Sequence, residues 1–211
     1  MNNELQKYIE DHSDGEPDNL HRLMRATNIH LINGRMCSGH LQGRVLKMLT
    51  SMIRPRRVLE LGTFSGYSAL CMAEALEDNA WIDSVESDDE LEDFILKALS
   101  DSPYGSKIKL HIADALEFMT ACEDEIYDLI FIDADKRRYT DYYNEALRVL
   151  RTGGFILADN TLWDGHVVNP AKAKDPQTAG IMQFNEKVFL DSRVEKVILP
   201  LRDGLTMIRK L

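Results

Sequence analysis

The chain has 211 residues, 44% of them hydrophobic and 28% charged, and a net charge of −10 at neutral pH. That size and balance suit one α/β domain with a sizeable core, and no apolar run approaches the ~20 residues of a membrane span. The polar start of the chain offers no secretory h-region, so a cytoplasmic location is expected, and the acidity counts against a phosphate-backbone partner.

Through the first third the periodicity predicts helices. Leu20, Leu23, Met24 and Leu31 recur at roughly helical spacing, then Leu41, Val45, Leu46 and Leu49, with Asn33-Gly34-Arg35 as a turn between them. From Arg57 short apolar runs alternate with helical stretches. Strands are predicted at 58–61, 81–85, 108–112, 129–132 and 155–158, and helices at 65–76, 89–99, 115–121 and 138–150. A helix at 180–190 follows, then strands at 194–199 and 205–208 with Asp203-Gly204 as a hairpin signal. Alternating strands and helices, with near-continuous apolar strands, indicate a parallel sheet covered on both faces. No internal repeat or low-complexity linker divides the chain. Cys37, Cys71 and Cys122 form no C-x-x-C pair and read as reduced thiols; the six histidines show no paired metal-binding spacing.

Doubly wound sheets bind ligands at the carboxyl ends of their strands. After the first strand comes Glu60-Leu61-Gly62-Thr63-Phe64-Ser65-Gly66-Tyr67-Ser68. The glycines allow a tight turn and the following helix N-terminus offers free N–H groups to an anion. The spacing is G-x-x-x-G, and Phe64 stands where close pyrophosphate approach needs glycine, which disfavours a nicotinamide cofactor. S-adenosylmethionine, with a carboxylate and a sulfonium but no pyrophosphate, suits the looser loop. Glu86, ending the second strand, lies where a carboxylate grips a ribose diol. The run that follows, starting at Ser87, reads equally as a helix cap with acidic first-turn residues. Asp114-Ala115, after the third strand, either faces the adenine or caps the next helix.

The fourth strand ends in Asp133-Ala134-Asp135-Lys136 and the fifth in Asp159-Asn160. In the usual strand order these strands are neighbours, about 4.8 Å apart. Asp133 and Asp159 then converge with Asn160 beside them, a hard all-oxygen set suited to Mg²⁺, Mn²⁺ or Ca²⁺. Strand-end capping is the plain alternative for each aspartate. An aromatic hydroxyl has a pKa of about 10. A divalent cation stabilises and orients its oxyanion, and a nearby lysine, Lys136, is placed to take the proton.

In the segments ELGTFSGYSAL, FIDADKRRYTDYYNEAL, GGFILADNTLWDGHVV and LPLRDGLTMIRK the chain resembles the metal-dependent catechol and caffeoyl-coenzyme A O-methyltransferases, from about residue 36 to the end. The resemblance implies a Rossmann-like methyltransferase fold: a seven-stranded, mostly parallel sheet with helices on both faces and an antiparallel C-terminal strand. It implies one domain, 1–211, with 1–54 shaping the acceptor pocket and 55–211 binding cofactor and metal, and a homodimer. It assigns the metal to Asp133, Asp159 and Asn160 and the general base to Lys136. It gives the ribose to Glu86, the methionine carboxylate to Ser68 and the adenine to Asp114 and Ala115, and it lays Met36 and Ser38 over cofactor and metal. Glu60, Gly62, Thr63, Phe64, Ser87 and Asp133 complete the expected cofactor contacts.

Ser38, His40, Lys136 and Trp163 are the expected acceptor contacts; Trp163 either walls the acceptor pocket or fills core beneath a loop. The late acid of the animal catechol enzymes has no counterpart in Ile198-Leu199-Pro200-Leu201, and the coenzyme A-binding elements of the plant enzymes are not matched. The expected acceptor is therefore a small aromatic diol. The alternative is a hydroxylated uridine in transfer RNA, reached through a basic patch of Arg137, Arg138, Lys172 and Lys174.

Overall fold

The computed structural model describes residues 3–211. In chain order its elements are α1 (Asn3–Asp11), α2 (Asp18–His30), α3 (His40–Ile53), β1 (Arg57–Leu61), α4 (Tyr67–Ala73), β2 (Trp81–Glu86), α5 (Glu92–Ser100), β3 (Ile108–Ile112), α6 (Ala115–Thr120), β4 (Tyr127–Ile132), α7 (Tyr139–Val149), β5 (Leu150–Ala158), α8 (Pro176–Leu190), β6 (Val194–Leu199) and β7 (Leu205–Lys210). Seven strands form one sheet in the order β3-β2-β1-β4-β5-β7-β6. β1 to β5 are mutually parallel, and β7 runs antiparallel to both of its neighbours. This is the Rossmann-like architecture expected.

Apolar residues on both sides of each central strand explain the two-faced packing. Along β4, Leu129 and Phe131 enter one core with α2, α4 and α5, while Ile130 and Ile132 enter the other with α6, α7 and α8. A strand buried on both faces needs no polar alternation. No helix among the described residues is long and apolar enough to cross a membrane.

Several boundaries differ from the sequence reading, each for a local reason. α8 begins at Pro176 rather than 180, because Asp175 caps it, accepting from the Thr178 N–H, and proline occupies the first turn. α4 begins at Tyr67 rather than 65, since Gly66 is left-handed at φ 81°. β5 begins at Leu150, which pairs with Tyr127, so the residue read as the end of α7 already belongs to the sheet. Residues 163–168 and 170–172 form 3-10 turns that no periodicity announced.

Gly62 positions the site. Its φ is +93°, and any Cβ there would overlap the Asp133 carbonyl. Only glycine lets the end of β1 lie this close to the end of β4.

Candidate active site

A cavity of about 1710 Å³ opens over the carboxyl ends of β1, β2, β4 and β5. Its floor carries the glycine loop, its far wall residues 30–38 after α2, and its near wall residues 163–166 and 172–177.

Glu86 is 8% exposed and held by backbone alone. Oε2 accepts from the Phe64 N–H at 2.8 Å; Oε1 accepts from the Ser87 and Asp88 N–H groups at 2.8 and 3.0 Å. Phe64 sits in the left-handed region, φ 51°, to point that N–H at it. Three of about four acceptor positions are filled, so the carboxylate is immobile and presents Oε2 to a ligand.

Beneath the loop, Glu60 is fully buried and does not reach the cavity wall. Its oxygens accept from the Ser68 hydroxyl at 2.6 Å and the Ser84 hydroxyl at 2.5 Å, and Ser84 is bonded in turn to Thr63 at 2.7 Å. Burial pushes its pKa up to about 8; the charges of Asp133 and Glu86 act the same way, and the two serines oppose them. Ser68, which does line the cavity, lies between Glu60 and the open space. Asp114 caps α6, accepting from the Leu116 and Glu117 N–H groups, and is paired with Arg138 at 2.5 Å. The capping alternative is therefore present, although Asp114 and Ala115 also line the cavity.

On the other side, the Ile132↔Ala158 pairing sets Asp133 and Asp159 on adjacent strand ends. Lys136 donates to Asp133 Oδ1 at 2.6 Å and to the Tyr139 hydroxyl at 2.9 Å. Tyr139 donates onward to the Asp159 carbonyl at 3.0 Å. Burial pushes the Asp133 carboxyl above its ordinary value and Asp159 pushes the same way, while Lys136 and Arg202 pull it down. Asp159 is 2% exposed and lies just behind the cavity wall, which Asp133 and Asn160 line. Its Oδ1 accepts from the Asn160 N–H at 2.8 Å and its Oδ2 from Gln42 Nε2 at 2.6 Å.

Two enclosed carboxylates that repel each other are the environment a divalent cation relieves. The Asn160 side-chain amide, on the cavity wall, makes no hydrogen bond among the described residues, in contrast to its backbone N–H. Among the described residues no group of three or more His, Cys, Asp or Glu could hold a metal ion; the donors at these two strand ends are oxygens, two carboxylates and one side-chain amide. This set fits a Mg²⁺-class ion.

Met36, Ser38, Ser87 and Trp163 reach the cavity; His40 does not. The His40 ring bonds the Asp14 carbonyl at 2.7 Å, anchoring the loop between α1 and α2, away from the cavity where an acceptor contact was expected. Trp163 packs on the core of α6, α7 and α8 and also lines the cavity. The basic patch does not present four free cations: Arg137 is paired with Asp135 at 2.6 Å and Arg138 with Asp114. Burial raises the Cys37 thiol, which makes it no thiolate nucleophile.

Sequence reasoning missed Gln42, Tyr139 as a hub, and Arg202. Only Tyr139 had a local signal, its i+3 spacing from Lys136.

An O-methyltransferase family model matches residues 10–211. Among curated proteins, "Probable caffeoyl-CoA O-methyltransferase 2" of Dictyostelium discoideum is 32% identical over 214 residues, covering 100% of this chain and 93% of that protein. Caffeoyl-CoA O-methyltransferase 2 of Eucalyptus globulus is 32% identical over 206 residues, covering 93% and 83%. Among solved structures, an SAH-bound methyltransferase of Podospora anserina superposes with TM-score 0.91 at 28% identity, covering 100% of this chain and 97% of that one. An O-methyltransferase of Bacillus cereus in complex with SAH shares the fold, with TM-score 0.88 at 24% identity, covering 98% and 97%.

Proposed function

The chain belongs to the O-methyltransferase family, and from that premise we propose that it methylates one hydroxyl of a small catechol-like aromatic with the help of a divalent cation. As a family member it is an enzyme that moves a methyl group from S-adenosylmethionine to oxygen. The observation that carries the finer reading is the packing of Gly62 on the Asp133 carbonyl. It sets the start of the glycine loop directly against the end of β4, where Asp133 would begin the metal set.

In this reading Glu86 takes the ribose through Oε2, Ser68 and the loop N–H groups take the methionine carboxylate, and the 113–115 turn flanks the adenine. Met36 and Ser38 close over the cofactor, and residues 1–54 shape the acceptor side. Asp133, Asp159 and Asn160 would hold a Mg²⁺-class cation, whose charge favours the oxyanion of the acceptor and disfavours the ammonium form of Lys136. Lys136 Nζ takes the acceptor proton. Tyr139 keeps Nζ beside Asp133, so the base does not wander from the reacting oxygen. The freed oxygen attacks the sulfonium methyl in line, and S-adenosylhomocysteine leaves. Alignment by the two walls supplies much of the acceleration. Trp163 borders the acceptor, and a homodimer completes the reading, its second copy covering exposed apolar side chains such as Phe189 and Leu190.

Mass spectrometry on a panel of diols, mono-hydroxyl controls and bulk transfer RNA tests the acceptor class. Methylated diols with inert mono-hydroxyl controls support the reading. Methyl transfer to transfer RNA with none to any diol overturns it.

A further inference from the structure

Asp159 is held by a side chain that is itself held. Gln42, in the first turn of α3 and 1% exposed, donates from Nε2 to Asp159 Oδ2 at 2.6 Å. Its Oε1 accepts from Arg202 Nη1 at 3.1 Å, and the same nitrogen donates to the Ser38 carbonyl. These partners are 117, 160 and 164 residues apart in sequence. The amide has one possible orientation, because a guanidinium has no acceptor and a carboxylate no donor. Arg202 occupies the turn between β6 and β7 with φ 47°. Non-glycine residues held there are strained and persist where the surroundings enforce them.

A structural tie between a helix and a turn has no need of a metal-side carboxylate at its end. Here the chain of bonds ends on Asp159, and at its other end it fastens Ser38, which lines the cavity over the loop. Outer partners of this kind fix the orientation of a ligating carboxylate, and their loss typically lowers metal affinity about 10- to 100-fold.

We propose that Gln42 and Arg202 are positioning residues: together they set the Asp159 carboxylate and tie the segment carrying Met36 and Ser38 to it. The inference rests on the metal reading given above. Glu in place of Gln42 would set two carboxylates against each other, and an apolar residue would leave Asp159 and Arg202 without their partner.

The test measures Mn²⁺ binding to the protein saturated with S-adenosylhomocysteine, from the electron paramagnetic resonance signal of free Mn²⁺, with melting in chelator as the control for fold. Gln42→Leu is expected to weaken Mn²⁺ about tenfold or more, and a cooperative melt in chelator, at a lowered midpoint, shows that the variant still folds. Arg202→Met weakens it less, and Arg202→Lys restores part of the loss. Wild-type protein that binds Mn²⁺ alongside a Gln42→Leu variant that binds it equally well overturns the positioning role and leaves the metal reading standing. Wild-type protein that binds no Mn²⁺ removes the metal reading itself. Should Gln42→Leu fail to fold, Arg202→Met, on a turn instead of in the core, decides the matter: unchanged Mn²⁺ affinity overturns the proposal.

Discussion

The carboxylates on the two sides of the site are held by different means. On the cofactor side Glu86 is gripped by three backbone N–H groups from the adjoining loops. On the other side Asp133 and Asp159 are held largely by side chains: Lys136 from the next turn, Gln42 from α3, with Arg202 behind it. Backbone donors are fixed by the fold itself, whereas side-chain donors depend on residue identity at distant positions. The side that carries Glu86 should therefore tolerate change around it, and the side that carries Asp133 and Asp159, proposed to hold the metal, should not.

Changes on the Asp133 and Asp159 side are the sharpest way to break this contrast. Asp159→Ala is expected to lower the methyl-transfer rate about 10³-fold, the scale of losing a main electrostatic stabiliser of the transition state, with an unaltered circular dichroism spectrum. Retained activity there would dissolve the distinction between the two sides. Lys136→Met should lower kcat about 10²-fold, the low end for a positioned acid–base group, and steady-state kinetics would show KM for the cofactor little changed.

On the Glu86 side the effect moves to binding. Glu86→Ala removes a charged acceptor worth about 1.5–3 kcal/mol, or roughly 10- to 100-fold in cofactor affinity, readable by calorimetry in chelator. An affinity equal to wild type would place the ribose elsewhere.

The smallest effect concerns Glu60. Its pKa is raised, so the folded state favours the protonated acid. Stability from this group is full below the ordinary value of 4.5 and falls as pH rises towards about 8. Glu60→Gln should flatten that decline in the melting temperature of the cofactor-free protein. An identical pH profile in the variant would mean that Glu60 is ionised in the fold.

What could be read from the sequence follows the same division. Strands of apolar residues ending in a carboxylate are local patterns, so the sheet, Glu86, Asp133 and Asp159 were legible. Gln42 and Arg202 were not, because a single glutamine in an amphipathic helix and a single arginine in a turn carry no local signature of a partner more than a hundred residues away. His40 misled for the matching reason: nearness in sequence to Ser38 put it beside the site, but its ring turns to the Asp14 carbonyl. Residues 163–172 fold as left-handed positions and 3-10 turns, geometries without a repeating hydrophobic pattern.

The measurement that bears most directly on the central claim is the rate of methyl transfer to a catechol after chelation and after Mg²⁺ is added back. The account predicts a rate near background in chelator and full recovery with Mg²⁺. A rate that chelation leaves unchanged would contradict it, and would make Asp133 and Asp159 structural carboxylates beside an enzyme that works through Lys136 alone.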